Sequence, residues 1–151
     1  MCYNEGIIPD HLNTMQFFAT LHQGNDVALL ALRIALAAIF IGHGLAKRAM
    51  WKMQPSEQMP KMMISIMKLL SVAEPLGGLA VLAGFLTQLA VLGLGIIMAG
   101  AMYLKIKKWK APFLTVEKPG WGYDFILFLV CFALYFTGAG AFALDRMLFG
   151  L

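Results

Sequence analysis

The sequence predicts an all-α fold: a bundle of four transmembrane helices with both termini on the non-cytoplasmic side. Three observations carry that expectation. Sixty per cent of the 151 residues are apolar and 13% are charged, whereas soluble domains run near half apolar and about a quarter charged. Four stretches are continuously apolar over the roughly 20 residues a helix needs to cross a bilayer core about 30 Å thick. Ten of the twelve Lys and Arg fall in two loops, which four crossings place on one side of the membrane. The same composition excludes disorder, a collagen-like fibre and a soluble disulfide scaffold. Two cysteines, Cys2 and Cys131, make neither a staple framework nor a zinc site. The net charge of +4 comes from loops beside apolar runs rather than from a folded basic face, so nucleic acid is not an expected partner.

Two regions follow from the pattern: a non-cytoplasmic tail over residues 1–26 and a four-helix membrane domain over 27–151. The tail carries Glu5, Asp10 and Asp26 and no Lys or Arg. It lacks a basic start followed by an apolar core and a small-residue cleavage site, so no cleaved leader is expected. Cys2 lacks the preceding apolar stretch that lipid attachment needs. Met15–Leu21 (MQFFATL) reads as a short amphipathic surface helix, with an irregular tail as the alternative.

The first span runs from Val27 to Ala46, with Asp26 as its N-cap. The second starts between Pro60 and Leu69 and ends near Leu86; with Pro60 in its first turn, Lys68 snorkels outward. Thr87 and Gln88 alone separate it from the third, Leu89 to Leu104, so these two form a tight helical hairpin. The fourth covers Tyr123 to Leu144. Continuous rather than alternating apolarity favours helices over barrel strands. Lys47, Arg48, Lys52, Lys61 and Lys68 lie between spans one and two. Lys105, Lys107, Lys108, Lys110 and Lys118 lie between spans three and four. The positive-inside rule places both loops in the cytoplasm, with Trp51, Trp109, Trp121 and Tyr123 at headgroup depth.

Lipid tails are as apolar as Leu, so helix association relies on close approach and on polar contacts. Ala31/Ala35, Ala38/Gly42, Ala73/Gly77, Ala80/Gly84 and Gly95/Ala99 supply small residues at helical spacing. Pro75 removes one backbone hydrogen bond from span two and should bend it.

Arg33 and Glu74 carry the strongest chemical information. Each costs about 2.5–3.5 kcal/mol at a bilayer centre when unpaired, so both should face inward. Arg33, Ala37, Phe40, Gly44 and Lys47 form one helical stripe. The expected arrangement shares Arg33 between Asp145 and Glu74, with His43 and Lys47 below. Two readings stay open for these residues: interhelical glue, or a ligand, quinone or proton site. His43 can be satisfied by a carbonyl or a headgroup, and without a second intramembrane His a bis-His haem is disfavoured. Met50, Met53, Met59, Met62, Met63 and Met67 suit adaptable packing better than copper, and no metal site is expected. No phosphate loop, nucleophilic triad or hydrolytic carboxylate pair is present. Lys105, Lys107, Lys108 and Lys110 (in KIKKWK) should attract anionic lipid headgroups at about 1 kcal/mol per charge.

Arg33 through Lys47 (RIALAAIFIGHGLAK), Ala73 through Gln88 (AEPLGGLAVLAGFLTQ), Gly122-Tyr123-Asp124 and Gly138 to Asp145 (GAGAFALD) together resemble the DoxX family of small four-helix membrane proteins. The resemblance covers residues 28 to 146. Gln88 stands where relatives commonly carry Arg, and the tail is longer than usual. The resemblance implies a multi-pass protein of the bacterial inner membrane. It also implies a link to quinone-dependent sulfur oxidation and terminal oxidases, to thiol and oxidative-stress complexes, or to biosynthetic gene clusters. Carried over, Arg33, Glu74 and Asp145 become candidate site residues, with His43 and Lys47 secondary. The first functional reading is an accessory subunit of a membrane redox complex, in contact with other membrane subunits. It has no cofactor ligand set of its own, and quinone is the implied cofactor. The alternatives are a catalytic or transport module with an intramembrane Arg/Glu site, and a structural or assembly protein.

Overall fold

The computed structural model describes residues 24–57, 59–114 and 120–150. Helix α1 is Asn25–Lys47, α2 Lys61–Ala83, α3 Thr87–Lys107, α4 Trp121–Thr137 and α5 Leu144–Phe149, with one 3₁₀ segment at Arg48–Lys52. No strand occurs among the described residues. Cys2, Met15–Leu21 and Lys118 lie outside them. Among the described residues, three helical stretches are long and apolar enough to cross a membrane: Asn25–Lys52, Lys61–Ala83 and Thr87–Lys107. The fourth apolar helix, Trp121–Thr137, has 17 residues.

That fourth helix is shorter than the expected Tyr123–Leu144. Gly138 (φ 74°) and Gly140 (φ 78°) adopt left-handed backbone conformations that favour glycine, so the chain leaves the helix at Thr137. It folds back through residues 138–143 before the six-residue α5. Asp26, expected to cap α1, is displaced too: the helix starts two residues earlier than expected, at Asn25 after Gly24. The Asp26 carboxylate instead accepts the N–H of Ala141 at 2.7 Å and ties the start of α1 to the returning segment. Helix α2 begins directly after Pro60 and ends at Gly84, whose φ of 68° forms a left-handed cap. Its N–H donates to the Val81 carbonyl and that of Phe85 to the Ala80 carbonyl. The turn to α3 is therefore 84–86, slightly earlier than the expected Thr87 and Gln88.

Helices α1 and α2 pack closely as an antiparallel pair, as do α3 and α4. Glycine sets the register of the first pair. A Cβ at Gly44 would overlap the ring of Pro75, and one at Gly78 would come within 3.2 Å of the Ala37 carbonyl oxygen. The core joins all four helices through Leu36, Phe40, Val81, Val91, Leu94, Met98, Leu127, Cys131 and Leu134. Burial runs opposite to that of a soluble bundle. Arg33, Glu74 and Asp124 are 1%, 0% and 4% exposed, whereas Leu69, Leu76 and Ile96 are 68%, 61% and 65% exposed. Charge inside and aliphatic surface outside is the arrangement that hydrocarbon solvent demands.

Candidate functional site

Charged residues collect at both ends of the bundle, and the ends differ in construction. At the hairpin end, the Arg33 guanidinium lies against the last turn of α2. Its Nε–H donates to the Val81 carbonyl at 2.8 Å and an Nη2–H to that of Leu82 at 2.7 Å. Nη1 donates to Ala139 at 3.0 Å and to Phe142 at 2.8 Å. Carbonyls at a helix C-terminus lack intrahelical donors and form the negative pole of the helix dipole, so a cation suits them. Asp145 serves the complementary pole. Its two carboxylate oxygens accept the N–H groups of Leu86 at 2.6 Å and Thr87 at 2.8 Å, at the start of α3. Its own N–H donates to the Gly84 carbonyl at 2.8 Å. The expected sharing of Arg33 between Asp145 and Glu74 is thus corrected: Arg33 bonds backbone carbonyls on two segments and forms an ion pair with neither acid.

The Asp145 carboxyl is held below its usual range. Burial alone would raise it, but the N–H groups of Thr87 and Leu86 and the nearby Arg33 charge outweigh that effect. A carboxylate whose folded pKa lies below its unfolded one stabilises the fold above the unfolded value. That contribution is lost as pH falls through the folded value. Thermal stability in detergent should therefore be flat near neutrality and decline below about pH 4. Asp145→Asn should lower neutral stability by about 1 kcal/mol, as loss of a helix cap does, and should shrink the acid decline.

The end carrying the basic loops holds a cavity of about 670 Å³. Its walls are mostly apolar, with Met50, Met59, Met67, Met98, Leu70 and Ile97 contributed by several elements. Into it converge His43, Lys47, Glu74, Lys105 and Asp124. Lys47, one turn past His43 on α1, forms an ion pair with Glu74 of α2 through Oε1. The other oxygen, Oε2, is buried with no hydrogen-bond partner. Across the cavity, Lys105 of α3 lies 2.6 Å from the Asp124 carboxylate of α4 and 3.4 Å from the Gly120 carbonyl oxygen. His43 packs its ring against Tyr123, centroids 5.6 Å apart. The start of α4 is fixed because Gly122 N–H donates to the Phe113 carbonyl at 3.0 Å, and a Cβ at Gly122 would crowd that oxygen.

The five sequence candidates therefore divide. His43, Lys47 and Glu74 share the cavity; Arg33 and Asp145 lie at the opposite end. Sequence reasoning missed Lys105 and Asp124 as site residues. Lys105 looked like one more lipid-facing cation of its cluster, in which Lys107, Lys108 and Lys110 are indeed exposed. The available signal was Asp124 itself, an acid in the first turn of a strongly apolar helix, which requires a counter-charge. Among the described residues, no three His, Cys, Asp or Glu side chains converge as a metal site. The donors present suit an organic ligand: ammonium groups and a histidine ring beside a free carboxylate oxygen.

The protein-family model DoxX matches residues 28–105. The match takes in Arg33, His43, Lys47, Glu74 and Lys105 and stops short of Asp124 and Asp145. No curated protein and no solved structure matches the chain.

Proposed function

The chain belongs to the DoxX family, and from that premise we propose that it is a quinone-binding accessory subunit of a membrane redox complex. It would reside in the bacterial inner membrane, crossing it four times with the basic loops in the cytoplasm. The rise of 1.5 Å per residue gives the 17-residue α4 a length of about 26 Å, close to the bilayer core.

The observation that carries this reading is the cavity. Its volume of about 670 Å³ lies within the roughly 300–1,000 Å³ of small-molecule sites, and like them it sets a few polar groups in an apolar wall. A lipophilic ring with two polar oxygens matches that lining. Lys47 supplies a donor for a carbonyl oxygen, and the free Glu74 Oε2 supplies an acceptor for a hydroxyl. A bound quinone would bring two-electron, two-proton redox chemistry, for which the residues themselves offer no redox centre. The protein's part is to admit the ring from the membrane, orient it and hold a carboxylate beside one oxygen.

The test is purification in mild detergent, with mass spectrometry of co-purifying subunits and extracted lipophiles. The expected result is a stoichiometric membrane partner together with bound quinone. Titration of a short-chain quinone should quench the fluorescence of Trp109, which lines the cavity, and Glu74→Gln should weaken that titration about tenfold. A chain that purifies alone, retains no quinone and gives no quenching overturns the reading.

A further inference from the structure

We propose that a second, separate groove on the outer flank of α2, at the basic end, seats one anionic phospholipid. The phosphate would lie at Arg48, and an acyl chain along Val72, Leu76 and Leu79. The groove has a volume of about 560 Å³ and shares no lining residue with the central cavity. The inference is therefore independent of the quinone reading.

Charge complementarity defines the head of the site. Arg48 is exposed in the 3₁₀ segment and has no ion-pair partner among the described residues. Beside it, Trp51 forms a fixed wall, because its indole N–H donates to the Ser71 hydroxyl at 2.9 Å. That hydroxyl donates in turn to the Lys68 carbonyl at 2.7 Å. The Lys68 ammonium lies 6.0 Å from the Trp51 ring centroid, and Arg48 lines the same groove as Trp51. A guanidinium offers a phosphate paired donors, and an indole at a helix end belongs at headgroup depth.

Ser71 and Pro75 form the floor of the groove. Beyond this point the surface turns apolar. Val72, Leu76 and Leu79 recur at helical spacing and are 48%, 61% and 52% exposed. Over that interval α2 rises about 10 Å, which gives an acyl chain a continuous track from the charged head into the hydrocarbon. A phospholipid presents these chemistries in this order: anion at the head, then chain.

The full-length protein would be reconstituted in vesicles of equal parts phosphatidylglycerol and phosphatidylcholine, re-extracted gently and examined by native mass spectrometry. One phosphatidylglycerol per chain should be retained in preference to phosphatidylcholine. Arg48→Gln should lower that retention about tenfold, and Leu76→Trp, which fills the track, should do the same. Both positions are exposed, so the melting temperature should hold. Arg146→Gln, exposed on α5 at the opposite end of the bundle, should leave retention unchanged. Retention unaffected by Arg48→Gln, equally lowered by Arg146→Gln, or equal for the two lipids overturns the proposal.

Discussion

Arg33→Ala is expected to destabilise the protein by roughly 4 kcal/mol or more, at the upper limit for single substitutions. Arg33 is 1% exposed and donates to four carbonyls on two segments far apart in sequence. A hydrogen bond to a charged group contributes about 1.5–3 kcal/mol net. The four are not additive, since Val81 keeps a second donor in Gly84. Truncation also leaves a cavity where the side chain packed. Arg33→Lys should recover less than half of the loss, because a point-like ammonium cannot span carbonyls that a planar guanidinium bridges. Thermal unfolding in detergent measures the effect, and faster hydrogen exchange at residues 84–86 and 138–143 localises it. An unchanged melt for Arg33→Ala would contradict the described role of the residue.

Lys47→Ala is expected to cost about 3 kcal/mol, the lower end of the range for removing one partner of a buried ion pair. Glu74 is fully buried, and Lys47 Nζ is its ion-pair partner. Without the ammonium, the carboxylate remains as an uncompensated charge in an apolar cavity wall. The lower end applies because the Lys47 side chain is 24% exposed and water can reach the site. Adding Glu74→Gln to Lys47→Ala removes the stranded charge and should restore most of the stability. The double-mutant cycle then gives the coupling directly. If Glu74→Gln deepens the loss in the Lys47→Ala background, the ion pair is not what the two residues contribute.

Much of this architecture was legible in the sequence because hydrocarbon imposes simple rules. The apolar runs located the helices, and Pro60 offered the start of α2 that the structure adopts, whereas its end, expected near Leu86, falls at Gly84. The inward stripe from Arg33 to Lys47 foretold which face of α1 is buried: Arg33, Ala37, Phe40 and Gly44 are all buried. Pairing was not legible, because it depends on register. Gly44 lies opposite Pro75 and Ala37 opposite Gly78, so antiparallel packing brings Arg33 to Leu82 and Lys47 to Glu74. Arg33 and Lys47 are 14 residues apart, or about 20 Å along the axis, too far for Glu74 to serve both. Reasoning from charge alone also overlooked backbone carbonyls as partners for a guanidinium. The length of α4 was misjudged because GAGAFAL remains apolar after its glycines have ended the helix.

The Arg33 contacts also bear on how the chain is assembled during synthesis. The guanidinium enters the bilayer with the first helix, yet its acceptors follow 48 and 49 residues later, and then 106 and 109 residues later. Until the second hydrophobic segment emerges, the first carries an unmet cation worth about 2.5–3.5 kcal/mol against insertion. Release of the first helix into lipid is thereby coupled to arrival of the second. Final locking waits until Phe142 has emerged.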